Sequence, residues 1–486
     1  MSPHPTPQLS PTDASDVSPV HPVDQRPPAL KLFLLGLQHV LAMYAGAVAV
    51  PLIVGGAMNQ AGQLRPEDLA HLIVADLFIC GIASIIQSVG LWRFGARLPL
   101  VQGVSFVAVA PMISIGSQYG ITAIYGSVIV TGLAMMLLAP FFAQIIRYFP
   151  PLVTGTIITT IGLSLTSVAA NWIRNTSVPE SEQGAPMNFL LAGSTLVVVL
   201  LVHRFAPPQW RPMAVLSGII GGTILAQVLG QTDWSRIATA EWVGVPRPFQ
   251  FGLPQFEVAA IVTMLIVGLV IMTETASDLV AVGQIVDRPV DRRGLADGLR
   301  ADGLATFLGG VFNTFPYSAY AQNVGLVSLS RVRSRYIVTA AGVMLAFLGL
   351  LPKLGSVIAC IPSPVLGGAG IALFGMVTVS GIRTLSTIKI DETRALIIAV
   401  SITVALLPSV SPTLYDNIPE AIGMLAHSGI ASGAICVILL NLLLNRKNNG
   451  HLADPVIGNG HVQRGETARD GRAEPASLPD AEPARR

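Results

Sequence analysis

The stretch Phe315-Pro-Tyr-Ser-Ala-Tyr-Ala-Gln-Asn-Val-Gly325 lies between two apolar runs and does not read as a simple helix. Proline removes a backbone donor and pushes the residue before it toward extended geometry. The segment is therefore expected to begin as extended chain and continue as a short helix. Leu98-Pro-Leu-Val-Gln-Gly-Val-Ser-Phe-Val-Ala-Val-Ala-Pro111 reads the same way. At membrane depth such backbone persists only where protein buries it or a polar cavity faces it. Two half-helices that aim their N-terminal N–H groups at one another make a site for a polar or anionic ligand. A proline kink without a ligand is the blander reading; the polar run after Pro316 weighs against it.

Composition sets the membrane frame. Of 486 residues, 52% are hydrophobic and 12% charged, against about 25% charged in soluble domains. A chain this poor in charge cannot clothe a water-facing surface, so its solvent is largely lipid. Apolar runs recur from near Leu32 to near Asn445 and read as about 14 spans, three of them too short or interrupted for simple helices. The two quoted stretches are the third and tenth. With the N-terminus inside, the loops divide about 19 Lys and Arg from about 5 on the opposite side. That bias places both termini in the cytoplasm. Residues 1–28 and 446–486 are Pro-, Ser-, Gly- or charge-rich and read as disordered tails without a secretory signal.

The halves echo each other. Pro151-Leu-Val-Thr-Gly155 resembles Pro364-Val-Leu-Gly-Gly368, and Leu98-Pro99 matches Phe315-Pro316 at nearly the same separation. Seven spans per copy is an odd number, so the second copy is inverted. Inverted repeats with interrupted helices are the architecture of secondary transporters. The expected fold is an all-α polytopic membrane protein of two inverted seven-span repeats.

Ionisable groups inside the membrane each need a reason. Glu274 lies in the eighth span, and Asp278 follows one turn later on the same face. Two carboxylates so close do not both ionise comfortably in low dielectric, so one is expected to hold a proton near neutral pH. Asp302 opens the ninth span, either as a proton site or as a helix-end acid. His39 in the first span and Asp76 in the second read first as buried groups that hydrogen-bond other helices. Cys80, Cys360 and Cys436 sit in apolar runs and read as small core residues. No metal site, cofactor motif or nucleophile–base pair emerges, and no GxxxxGK[ST] loop is present to hydrolyse ATP. The net charge of +2 carries no argument for nucleic acid.

Gln322-Asn-Val-Gly325, four residues, then Ser330-Arg-Val-Arg-Ser-Arg335 resembles the signature of the nucleobase–ascorbate transporter family, with Ser330 where threonine is usual. Gln38-His39, Ala75–Gly81, Gln102-Gly103, Ser105-Phe106 and Thr273-Glu274 extend the resemblance over residues 30–445. It implies a core domain (spans 1–4, residues 29–147, and spans 8–11, residues 232–352). It also implies a gate domain (spans 5–7, residues 148–231, and spans 12–14, residues 353–445), in a homodimer in the cytoplasmic membrane. It implies that Glu274 and Gln322 bind the base and that Phe106 stacks on it. Ser105, beside Phe106, is small and either leaves room for an extra oxygen on the base or simply packs between helices; Ala321, next to Gln322, is counted with the binding residues. Asn323, Asp302, His39 and Asp278 then support the site or its proton coupling.

These roles suit a flat heterocycle. A carboxylate can accept two ring N–H groups, a carboxamide offers one donor and one acceptor, and an aromatic face can stack. Gln322 and the Asn313–Tyr317 run resemble bacterial xanthine and uric acid permeases. The expected function is proton-coupled import of an oxidised purine. A uracil permease, sodium coupling, an anion exchanger and an intramembrane enzyme are the alternatives.

Overall fold

The computed structural model describes residues 20–445, apart from 147, 148, 177, 331, 412, 416, 419–422, 424, 425 and 427. The expected tails at 1–19 and 446–486, and the loop charges Arg147, Arg331, Arg446 and Lys447, lie outside the described residues.

The first half of the chain forms α1 (Ala29–Gln60), α2 (Asp68–Val89), strand β1 (Gln102–Val104), α3 (Val109–Tyr119) and α4 (Ile121–Leu138). It continues with α5 (Pro151–Ser164), α6 (Thr166–Arg174), α7 (Pro186–Phe205) and α8 (Ala214–Val228). The second half forms α9 (Val258–Ile285), α10 (Arg292–Val311), strand β2 (Tyr317–Ala319), α11 (Ala321–Ser330) and α12 (Arg335–Leu348). It ends with α13 (Pro352–Ala359), α14 (Ser363–Leu385), α15 (Glu392–Val410) and α16 (Gly429–Leu444). Polar side chains mark several starts: Asp291 accepts the N–H of Gly294 at 2.7 Å ahead of α10, and Asp391 that of Arg394 at 2.9 Å ahead of α15. Gly120, at φ +92°, turns α3 into α4, a backbone conformation that glycine adopts without a Cβ penalty.

Nine helical segments among the described residues are long and apolar enough to cross a membrane, with α5 and α6 forming one of them. The pair α12 and α13, bent by 82°, makes a tenth. The other expected spans are not single helices of that kind. Helices α3, α11 and α16 are short, and α10 carries Arg300 and Asp302.

Both proline-marked stretches are extended first and helical afterwards, as their sequences demand. The extended parts pair antiparallel, Gln102 with Ala319, Gly103 with Ser318 and Val104 with Tyr317. Two strands leave outer edges unpaired, and membrane depth offers no water to satisfy them. Side-chain hydroxyls do so. Ser84 accepts the N–H of Gln102 at 3.0 Å, Thr306 that of Tyr317 at 3.1 Å and Thr275 that of Ala319 at 3.0 Å.

Helix contacts follow the symmetry of an inverted repeat. With the seven spans per repeat expected from sequence, it exchanges each span with the one seven later. Span 2 packs on span 11 (α2 on α12) and span 4 on span 9 (α4 on α10), and the repeat converts one pair into the other. Spans 3 and 10 pair through β1 and β2, spans 5 and 12 through α5 and α14, and each of these pairs maps onto itself. Glycines allow the close approach. A Cβ on Gly81 would lie 2.3 Å from the backbone nitrogen of Ala346, and one on Gly132 would lie 2.3 Å from that of Phe307.

Residues 20–28 depart from the expected loose tail. Val23 is fully buried, and Asp24 pairs with Arg335 at 2.7 Å and with Arg288 at 3.1 Å. Arg335 also donates to the carbonyls of Ser88 (3.0 Å) and Val89 (2.8 Å), closing the C-terminal end of α2. A buried valine and a paired aspartate are enough to seat this short segment on the helix ends, and residue composition alone does not reveal the partners.

Candidate functional site

Strand β2 and the first turn of α11 form one wall of a cavity of about 180 Å³, contributing Ser318 to Gln322. Val104, Phe106 and Val107 line it from the third span, and Glu274 reaches it from α9. The facing wall is apolar apart from Ser380: Ile158 and Ile161 from α5, with Met376 and Val377 from α14. Both broken spans, the membrane carboxylate and the paired helices of spans 5 and 12 thus meet at one place.

The carboxyl of Glu274 lies beside the side chains of Ser318 and Ser105, and its Oε2 has no hydrogen-bond partner. Ser105 also accepts the N–H of Val107 at 3.3 Å and so starts the helical part of the third span. Phe106 is 9% exposed and meets the ring of Phe374 edge-on, with centroids 6.1 Å apart. An acceptor, a carboxamide and an aromatic ring therefore share one small space. That combination can recognise a flat ligand with N–H and C=O groups on its rim.

Of the residues singled out from sequence, Glu274, Gln322, Phe106 and Ala321 line the cavity, and Ser105 touches Glu274. His39 and Asn323 form a buried pair behind it, with Asn323 Nδ2 2.9 Å from His39 Nδ1. Asp302 corrects the sequence reading of its position. Helix α10 begins at Arg292, so Asp302 sits mid-helix rather than at a helix end. It is fully buried beside Thr275 and Gln102, and neither carboxylate oxygen has a hydrogen-bond partner. Asp278 does not line the cavity; it lies close enough to Glu274 and Asp302 to feel both charges, and its Oδ2 has no partner.

Sequence reasoning misses Ser318 and Tyr320. A strand reading of Tyr317-Ser-Ala-Tyr320 is open to it, since successive side chains of a strand point to opposite faces and polar ones there need partners. The facing wall leaves no comparable trace: Ile158, Ile161, Met376 and Val377 look like any lipid-facing or core residue.

The fold and the cavity define the class: a multi-pass membrane protein built from inverted repeats around a central cavity. Solved structures share the fold; against the transmembrane domain of a cyanobacterium bicarbonate transporter, BicA, the TM-score is 0.53 at 15% identity, over 84% of this chain and 97% of the other. A family model, Xan_ur_permease, described as a permease family, matches residues 30–414, and the chain belongs to that family, the nucleobase–ascorbate transporters. The uric acid permease PucJ of Bacillus subtilis (strain 168) is 42% identical over 432 residues, 87% of this chain and 95% of the relative. The xanthine permease of the same organism is 40% identical over 416 residues, 85% of this chain and 94% of the relative.

Proposed function

We propose that this chain imports an oxidised purine base, xanthine or uric acid, in symport with a proton. The observation that carries the reading is the meeting of Glu274, Gln322 and Phe106 around one cavity between the broken spans. Relatives named as uric acid and xanthine permeases support the substrate class. Glu274 accepts ring N–H groups, Gln322 pairs with a neighbouring C=O and N–H edge, and Phe106 stacks on the ring. Ala321 and Ser105 leave space beside the base. A site that pairs every polar atom of one base rejects bases whose edges differ.

Transport proceeds by movement of a core (spans 1–4 and 8–11) against a gate (spans 5–7 and 12–14). The helices of each group pack mainly among themselves, which supports this division. The cavity lies between the two groups, as alternating access needs. Asn323, His39, Asp302 and Asp278 hold the site in place and couple it to the proton. The protein works as a homodimer in the cytoplasmic membrane with both termini inside.

Uptake into cells or proteoliposomes tests the proposal. Labelled xanthine is competed with uric acid, uracil, hypoxanthine and ascorbate, with and without a protonophore, and with sodium present or replaced. Inhibition by xanthine and uric acid, together with collapse under the protonophore, is expected. Dominant inhibition by uracil would make it a uracil permease, and sodium dependence would replace the proton. Glu274→Ala is expected to abolish saturable uptake at unchanged membrane abundance; normal uptake by that variant refutes the site.

A further inference from the structure

Asp76, on α2, is fully buried and lies outside the cavity lining. Its carboxylate Oδ1 accepts the Tyr317 hydroxyl at 2.7 Å and lies 3.2 Å from the Thr314 hydroxyl. Those two hydroxyls are 2.7 Å apart, and Thr314 accepts the N–H of Phe315 at 2.5 Å. Each hydroxyl has a single proton to donate. With Asp76 ionised, one arrangement serves the three short contacts: Phe315 N–H donates to Thr314, Thr314 to Tyr317, and Tyr317 to Asp76. Hydrogen bonds in such a directed chain strengthen one another in a low-dielectric interior. The chain starts at the last backbone donor before Pro316, which has none, and ends on a carboxylate oxygen of another helix.

Thr314 and Tyr317 bracket the break of the tenth span, and Tyr317 opens β2. The next three residues, Ser318, Ala319 and Tyr320, line the cavity. Helix α2 also holds the other strand, since Ser84 accepts from Gln102. One helix therefore grips both strands from behind, with an acid on one and a hydroxyl on the other. The other oxygen of Asp76, Oδ2, meets the Cys80 thiol at 3.7 Å.

We propose that Asp76 is a positioning residue for the purine site: its carboxylate anchors Thr314 and Tyr317, and through them holds β2 at the depth where Ser318 meets Glu274. The proposal rests on the purine-transport reading for its kinetic test, and a structural measurement separates the two. What Asp76 supplies is an acceptor. Asp76→Asn keeps one in the same place, whereas Asp76→Ala leaves the Tyr317 hydroxyl with the backbone carbonyl of residue 76 at 3.3 Å. Tyr317→Phe breaks the chain from the other end and preserves the ring that fills the core.

The experiment measures uptake of labelled xanthine and uric acid by wild type, D76N, D76A and Y317F at matched abundance. It also measures hydrogen–deuterium exchange of segment 315–321 in the purified proteins. D76N is expected to keep KM within about threefold of wild type, while D76A and Y317F raise it roughly tenfold with a smaller change in turnover. Segment 315–321 is expected to exchange faster in D76A and Y317F but not in D76N. If D76A does not fold, Y317F carries the same comparison. Loss of transport in D76N as complete as in D76A, with segment 315–321 still protected, overturns the proposal in favour of a role for the charge. Wild-type KM or wild-type protection in Y317F overturns it as well. Failure of wild type to take up either purine refutes the substrate reading and leaves the exchange measurement to decide the role of Asp76.

Discussion

The side-chain nitrogen of Asn323 lies 2.9 Å from Nδ1 of His39 and 3.2 Å from the backbone carbonyl oxygen of the same residue. A carbonyl oxygen only accepts, so the Asn323 nitrogen is the donor in both contacts and His39 Nδ1 is an acceptor. The imidazole is thereby held with its lone pair toward α11. An asparagine at position 39 can place its side-chain oxygen near the site of Nδ1, whereas leucine offers no acceptor. His39→Asn is expected to keep uptake within about threefold of wild type, and His39→Leu to lose at least about tenfold. Initial uptake rates of labelled xanthine at matched membrane abundance check the order. Equal rates in the two variants would mean that the bond does not matter.

Tyr320 is clamped between two glycines, and their spacing sets a second expectation. A Cβ on Gly103 would sit 2.3 Å from Cε2 of Tyr320, while one on Gly46 would sit 3.0 Å from Cε1. The first contact forces the ring or strand to move; the second asks for a few tenths of an ångström. Gly103→Ala is expected to cut purine uptake by at least about tenfold, and Gly46→Ala by less than about threefold. Binding of labelled substrate to purified protein separates a damaged site from slowed cycling, and intact binding in G103A would contradict this account.

What is legible in the sequence depends on how local the signal is. Proline dictates its own backbone, so Pro99 and Pro316 by themselves announce extended entry segments. Glu274 stands out because a carboxylate in an apolar run has few bland explanations. The pairing of Gln102 with Ala319 has no local cause. It arises where two distant segments meet, and their strand edges are completed by Thr275, Thr306 and Ser84 from three other helices. Asp302 is misplaced by sequence reading for a related reason. The arginine-rich start of α10 reads as loop, yet it is already helix, and so the acid lies deeper than its neighbours suggest. The apolar cavity wall of α5 and α14 is defined only by packing.

Glycines of similar appearance differ in their tolerance. Gly325 belongs to the signature stretch, yet a Cβ there would meet nothing within 4 Å. Gly81 lies outside the signature, yet a Cβ there would press on the backbone of α12 at 2.3 Å. Backbone cannot yield as a flexible side chain can. Gly325→Ala is expected to leave the melting temperature in detergent unchanged or slightly raised, since alanine in a helix is favoured by about 0.5–1 kcal/mol. Gly81→Ala is expected to lower it markedly or to abolish expression. A G325A protein that melts well below wild type would show that its surroundings are tighter than this conformation displays.

Asp302 and Glu274 stand differently toward the cavity, and the proposed function gives them different tasks. Glu274 faces the cavity, where the proposed reading has it contact the base. Asp302 stands behind the strand pair beside Thr275, whose hydroxyl oxygen already accepts the N–H of Ala319 and so retains its proton to donate. Asp302→Asn preserves shape and one acceptor oxygen but can neither take up nor release a proton. If Asp302 serves coupling, the variant should still exchange labelled for unlabelled purine across a proteoliposome membrane, where no net proton movement is needed. It should fail to accumulate purine when a proton gradient is imposed. Glu274→Gln should lose both, because a carboxamide cannot accept two ring N–H groups through a single oxygen in the same geometry. Accumulation by D302N at the wild-type level would remove Asp302 from coupling, and loss of exchange would assign it to the structure of the site instead.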